Sequence, residues 1–404
     1  MMNRRFLNLV SEAYSTGVLS LRRIKLADHL FYPSTTAAES AMARSEAAIK
    51  ANEKRQAGYK HGFRSLRARA TSLGALPAAR INFQPSGPVM GGDISLEFVT
   101  LLGDESKILC GDSTGGTSLY DADSHSIMTM HGLRASKGQD AISMSITRAA
   151  NGYARQYDSL FVMNRTPDSD IAEYLLEELR YGSEDLFSDY PLIHRWKSLP
   201  PPPFIYRPAY EIPGDIGAYT VVGSTIYVSS VVPGIGTYSF DTLEWAWRHA
   251  GKWELPFYGK AEYVPELNLW FGLSASRPFQ LCAADLSTLD FQRPPTVQHT
   301  WVDLDLPKNW EPFQLDFINL GSGRFCTVKT FLGTRPPLEV GFSDNEDDDN
   351  ESIDLTDVID WEFAVLTGIE VVPSCDGESP ESVRMIKHKS RFYICADHSI
   401  KWVL

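Results

Sequence analysis

The stretch from Tyr219 to Pro256, YTVVGSTIYVSSVVPGIGTYSFDTLEWAWRHAGKWELP, constrains the fold most tightly. Runs of β-branched and aromatic residues, such as Thr225–Val228 and Gly236–Phe240, are punctuated by Gly, Pro and Asp. That is the pattern of short strands joined by tight turns. Asp241 sits where the chain must reverse, and a short carboxylate there can accept hydrogen bonds from backbone N–H groups just ahead of it. Tyr238 and Trp245 are then expected to face each other on neighbouring strands. Four strands in about 40 residues is the size of one propeller blade.

The pattern recurs. Tyr238-x-x-Asp241-x-x-x-Trp245 is matched by Tyr120-x-x-Asp123-x-x-x-Ile127 and by Cys282-x-x-Asp285-x-x-x-Leu289. Its ending is matched at Trp196–Pro200, Trp253–Pro256 and Trp301 with Leu306-Pro307. Its opening aromatic pair, Tyr219 with Tyr227, is matched by Tyr263 with Trp270 and Phe317 with Phe325. Three motifs in one order at blade-length spacing predict an all-β chain, a β-propeller of four-stranded blades.

The chain order follows from this. Residues 1–33 form a hairpin, with strands in Arg5–Val10 and Val18–Leu26. Two strands cannot hold themselves together, and the apolar last strand, Ile400–Leu404, needs a partner. Their pairing would close the ring as the sixth blade. Five blades is the alternative, with the hairpin capping the rim. Residues 34–92 read as a low-order insert, helix-prone over Thr36–Gln56 and basic from Lys60 to Arg80. Residues 93–404 carry the propeller. Asp168–Tyr190 reads as an acidic, helix-prone insertion in the second blade, and Pro200–Pro203 as a stiff connector. The fifth blade is split by an acidic insert at 341–360, after which Ser382–His388 and Arg391–Cys395 read as separate strands.

Composition narrows the function. Among 404 residues the formal net charge is −13, which argues against a nucleic-acid partner, since phosphate backbones need a basic surface. The apolar runs are too short for a membrane helix, and the N-terminus turns polar too soon for a signal peptide. The five cysteines are scattered and odd in number. They predict neither a disulfide framework nor a zinc site, but a reducing compartment, cytoplasmic or nuclear.

Gly111-Asp-Ser-Thr-Gly-Gly116 resembles the segment around a trypsin-like nucleophile, but the extra Thr114 alters the loop that would hold an oxyanion and no suitable histidine precedes it. A Gly-rich turn is the expectation. No histidine has metal-ligand spacing, and no P-loop or dinucleotide fingerprint occurs. No catalytic, cofactor-binding or metal residue is assigned. The expected function is a non-enzymatic scaffold that binds an unknown protein or peptide. The alternative is a propeller enzyme acting on a small molecule or glycan in the central channel.

Two resemblances accompany this reading. The order Tyr-x-x-Asp-x-x-x-Trp followed by Trp-x-x-Leu-Pro is similar to kelch repeats, with Ser229-Ser230 or Gly272-Leu273 where kelch units carry a Gly-Gly doublet. The chain also resembles a plant family, domain of unknown function 1618, through Arg4–Leu9, Ser20–Ile24, Leu30–Pro33, Leu199–Pro203, Gly236–Asp241, Trp253–Phe257, Ala261–Pro265, Asn268–Gly272, Phe363–Gly368 and Met385–Leu404. That resemblance implies a plant protein and supplies no activity, ligand or site residue.

Overall fold

Short β-rich runs separated by Gly, Asp and Pro turns become antiparallel quartets. The structure is a computed structural model that describes residues 4–44, 73–83, 94–147, 158–181, 195–301, 312–334, 360–374, 383–395 and 397–404. The basic residues from Lys60 to Arg69 and the acidic run 344–359 lie outside the described residues.

The first quartet is Leu96–Leu101, Lys107–Asp112, Thr117–Asp121 and Ser126–Met130. The second is Ile142–Ile146, Asp158–Met163, Leu176–Tyr181 and Trp196–Ser198. The third, in the opening stretch of the sequence reading, is Ile216–Val222, Thr225–Ser230, Thr237–Asp241 and Ala246–Gly251. The fourth is Phe257–Val264, Leu269–Ser274, Leu281–Ala284 and His299–Trp301. The fifth is Gln314–Gly321, Arg324–Thr334, Asp360–Pro373 and Val383–Ile394. The last combines His398–Val403 with Phe6–Ala13, Leu19–Lys25 and Ala79–Phe83. The two ends of the chain therefore share a sheet, with Leu9 opposite Val403 and Ala13 opposite His398.

Buried clusters lie between quartets that are neighbours in chain order. Phe98, Leu109 and Leu119 pack against Leu160, Leu179 and Trp196 between the first and second. Leu7, Leu9, Ile24 and Ile400 pack against Ile318, Val328 and Leu366, joining last to fifth. Val10, Leu19 and Leu21 pack against Val99, Ile108 and Tyr120, joining last to first. The result is a propeller-like ring in which most sheet faces are packed between quartets.

Several expectations are corrected. Six separate sheets are not observed: the third and fourth quartets form one eight-stranded sheet, and no sheet closes on itself. Their inner strands pair in parallel through Ala218 with Gly259 and Thr220 with Ala261. Small side chains, and a left-handed Gly259 at φ 67°, let those backbones approach. Val383–Ile394 is one continuous strand instead of two. Leu73–Ala75 adds in parallel to its outer edge, so two strands fall within the stretch expected to be low-order. The helix expected over 36–56 is described at 35–44.

Tyr238 does not face Trp245. It pairs with His249, and Phe240 pairs with Trp247. Trp245 sits in the turn itself at φ 54°, as His125 does at φ 55°. Asp241 Oδ1 accepts from Leu243 and Glu244 N–H, and Asp121 Oδ1 accepts from Asp123 and Ser124 N–H. The repeat is thus registered on Asp121 and His125, two residues before the Asp123 and Ile127 of the sequence match.

Of the acidic, helix-prone insertion expected over Asp168–Tyr190, residues 182–190 lie outside the described residues and Ser169–Tyr174 is a short 3-10 helix. Its Leu176–Tyr181 is the third strand of the second quartet. Its glutamates misled because they are buried with partners. Lys137 Nζ, fully enclosed, donates to Glu177 Oε1 at 2.6 Å, and Ser159 Oγ donates to Glu178 Oε1 at 2.8 Å. Arg134 N–H also donates to Glu177, and Glu97 of the first quartet accepts from Lys137 N–H at 2.6 Å. This lysine ties the first quartet to the second.

Ile400→Ala is expected to cost about 2–5 kcal/mol, because it empties a buried site in the seam between chain ends; chemical unfolding followed by circular dichroism measures it. Lys137→Met should cost about 3–5 kcal/mol by leaving Glu177 charged and unpaired, and Lys137→Met with Glu177→Gln should recover part of that loss in the same assay.

Candidate functional site in the central cavity

The first strand of every quartet faces inward. Residues of Leu96–Leu101, Ile142–Ile146, Ile216–Val222, Phe257–Val264, Gln314–Gly321 and His398–Val403 all line one cavity of about 2280 Å³. The cavity has nine acidic residues against five basic ones in its lining.

Period-two alternation places Lys260 and Glu262 on one side of their strand, with Lys260 Nζ 2.6 Å from Glu262 Oε1. Burial works against charge on both, but their mutual attraction prevails. Together with Arg4 it holds the Glu262 carboxyl below its ordinary range, and against the repulsion of Arg4 it holds the Lys260 ammonium above its own. Arg4 is carried there by its N–H, which donates to Leu320 O at 3.0 Å. Burial lowers the Arg4 guanidinium, against the pull of Glu262 and Glu105. Asp316 differs. Burial pushes its carboxyl up to about 7; a hydrogen bond from Gln314 Nε2 at 3.1 Å opposes this and nearby Asp140 adds to it. Tyr219, paired with Lys260 across the merged sheet, has its phenol raised by burial. The cavity can therefore offer an ion pair, a carboxyl poised near neutrality and a phenol to an entering polar group.

Other charges near the cavity pair locally: Arg5 with Glu105 at 2.9 Å and Lys401 with Glu12 at 3.0 Å. At one mouth Arg165 Nε donates to Asp140 O at 3.1 Å and Thr166 Oγ1 to Asp215 Oδ1 at 2.5 Å.

None of these cavity residues was assigned from the sequence. The signal present was two opposite charges two apart in an apolar strand, Lys260 and Glu262. The motifs that were weighed lie elsewhere. In Gly111–Gly116 the Asp112 Oδ1 accepts from Thr114 N–H, Thr114 Oγ1 and Gly116 N–H, which makes the segment a tight turn. Cys110, Cys282, Cys326 and Cys395 are free and buried. Burial pushes the thiols of Cys110, Cys282 and Cys395 up to about 12, so they behave as small apolar groups. Cys375 lies outside the described residues. No group of three metal-ligating side chains occurs among the described residues. Among the described residues no helix is long and apolar enough to cross a membrane.

A ring of mostly four-stranded sheets around a cavity lined by charged and apolar residues alike defines a propeller-like protein. The chain belongs to the family described as Protein of unknown function (DUF1668), whose model matches residues 4–393. This replaces the resemblance to domain of unknown function 1618. No curated protein sequence matches the chain. Among solved structures, the chain is similar to BBS1N, from a crystal in complex with ARL6DN, at 9% identity over 59% of this chain and 61% of that one, TM-score 0.30. It is similar to the complex of fission yeast SREBP-SCAP binding domains at 12% identity over 73% and 79%, TM-score 0.31. It is also similar to the N-terminal domain of Nup159 at 10% identity over 74% of each chain, TM-score 0.30.

The Asp316 carboxyl is expected to titrate near neutrality. Because its folded pKa lies above the unfolded value of about 3.9, its stabilising contribution is complete below that value and is lost as pH rises through about 7. Asp316→Asn should therefore gain stability relative to the parent as pH rises from about 5 to about 8. Paired unfolding curves at the two pH values measure this; parallel pH dependence in parent and variant would contradict it.

Proposed function

We propose that this protein is a non-enzymatic scaffold that presents its ring ends and central cavity to a protein or peptide partner. The observation that carries this reading is where apolar surface remains. Most sheet faces are packed between quartets, with Ile127, Met128, Tyr258 and Leu332 left exposed on strands, while Tyr14, Ile171, Tyr206, Ile212, Val231 and Phe313 stay exposed on or beside the connections. Exposed apolar side chains gathered in this way favour an interaction surface. In this reading the eight-stranded sheet counts as two quartets, so that six surround the cavity, which the six inner strands lining it support. Free, buried cysteines are in keeping with a reducing compartment, cytoplasmic or nuclear.

A second reading, chemistry on a small molecule or glycan in the cavity, draws on one observation: Asp316, raised to about 7, shares the cavity with the Lys260–Glu262 pair. Photo-crosslinking from benzoylphenylalanine placed at loop positions in native cells separates the two. A defined protein adduct is expected from the loops. No adduct at any loop position, with a small molecule retained by the purified protein and lost in Asp316→Asn, would establish the second reading instead.

A further inference from the structure

The exposed apolar side chains are not evenly spread. Ile171 and Tyr174 lie in the connection 164–175, Tyr206 and Ile212 in 199–215, and Val231 in 231–236. Each connection either joins a second strand to a third or leads into an inner strand, so antiparallel order brings all three to one end of the ring. Hydrogen bonds knit that end together. Ile216 N–H donates to Arg165 O at 2.8 Å, and Val231 N–H donates to Asp215 O at 2.9 Å. The Tyr210 hydroxyl lies 2.9 Å from Pro167 O and 2.8 Å from Gly214 O. Beneath them Leu175, Phe204, Ile205, Tyr210 and Ile235 are buried in one cluster, with the Phe204 ring 5.1 Å from that of Tyr238. Ile212 is 82% exposed, Tyr206 63% and Val231 53%. The connections are anchored from below and show apolar side chains to solvent, so little ordering remains to be lost on binding.

The charge on this surface is one-sided. Asp168, Asp170, Glu173, Glu211 and Asp215 belong to the same connections, and none of them is ion-paired among the described residues. Against these five carboxylates the same connections carry two cations, Arg165, half-buried, and Arg207, exposed. Arg165 donates to the carbonyls of Asp140 and Ile216, and Arg207 lies 5.6 Å from the centre of the Tyr238 ring. Asp215 also lines the cavity, so the patch runs up to the cavity mouth.

Apolar anchors set among unpaired carboxylates complement a segment that carries apolar side chains between lysines or arginines. We infer that this end of the ring docks a basic amphipathic segment of a partner protein. The inference rests on the scaffold reading and adds to it the face used and the chemistry of the partner.

The test uses the full chain and two fluorescein-labelled peptides. One carries Leu and Lys in amphipathic helical order; the other has Glu at every Lys position. Fluorescence anisotropy should show binding of the Lys peptide and none of the Glu peptide. Ile212→Glu should weaken the Lys peptide by about 10-fold or more. Asp170→Lys with Glu211→Lys should weaken it and flatten its salt dependence. Leu243→Glu changes an equally solvent-facing side chain, 64% exposed in the turn at the opposite end, and should leave binding unchanged. Unfolding curves matching the parent show that each variant is folded. Failure of the Lys peptide to bind, equal binding of the Glu peptide, or indifference to Ile212→Glu overturns the inference. A loop-derived protein adduct that forms in the parent and persists in Ile212→Glu would overturn the docking face while leaving the scaffold reading intact; absence of any adduct from the parent would overturn both.

Discussion

Every sheet in this molecule has two apolar faces, and a row of such sheets has two bare ends. The pairing of Phe6–Ala13 with His398–Val403 removes those ends. It lets one sheet fill the gap between first and fifth quartets, with Val10 and Leu21 on one side and Leu9 and Ile400 on the other. The seam is fastened beyond its own ladder. Glu362, on the fifth quartet, accepts from Ile400 N–H at 3.0 Å and from the Tyr14 hydroxyl at 2.9 Å. The cavity depends on the same seam, since the strand supplied by the chain's last residues is one of those lining it.

Most strands were legible because their residues obey a two-residue period and their turns carry Gly or Asp. The first quartet could be read almost to the residue, and the pairing of the two chain ends could be expected, though not its register. What could not be read has a physical cause in each case. Leu176–Tyr181 looks helical because it reads LEELRY, yet Glu177 and Glu178 are charges matched in the interior by Lys137, Ser159 and Arg180. Trp245 looked like a strand residue, but its backbone takes the left-handed conformation that closes a turn. The merging of two quartets depends on how closely two backbones approach at Ala218 and Gly259, which composition hints at and periodicity does not encode.

The cavity was less legible than the fold. The Lys260–Glu262 pair, Asp316 and Arg4 come from segments far apart in the chain, and no local spacing relates the pair to the other two. Their electrostatic states also depend on burial and on one another, as the opposite fates of Glu262 and Asp316 show. Lys260 holds the first carboxyl below its ordinary range, whereas burial outweighs the hydrogen bond from Gln314 at the second. The interior surface of the ring is in this sense a product of assembly.

The position of His398–Val403 has a consequence for biosynthesis. A ribosome delivers that strand long after Phe6–Ala13, the strand it pairs with, so the nascent protein must wait with those hydrophobic flanks uncovered until the later strand emerges. During that interval it is a natural client for chaperones.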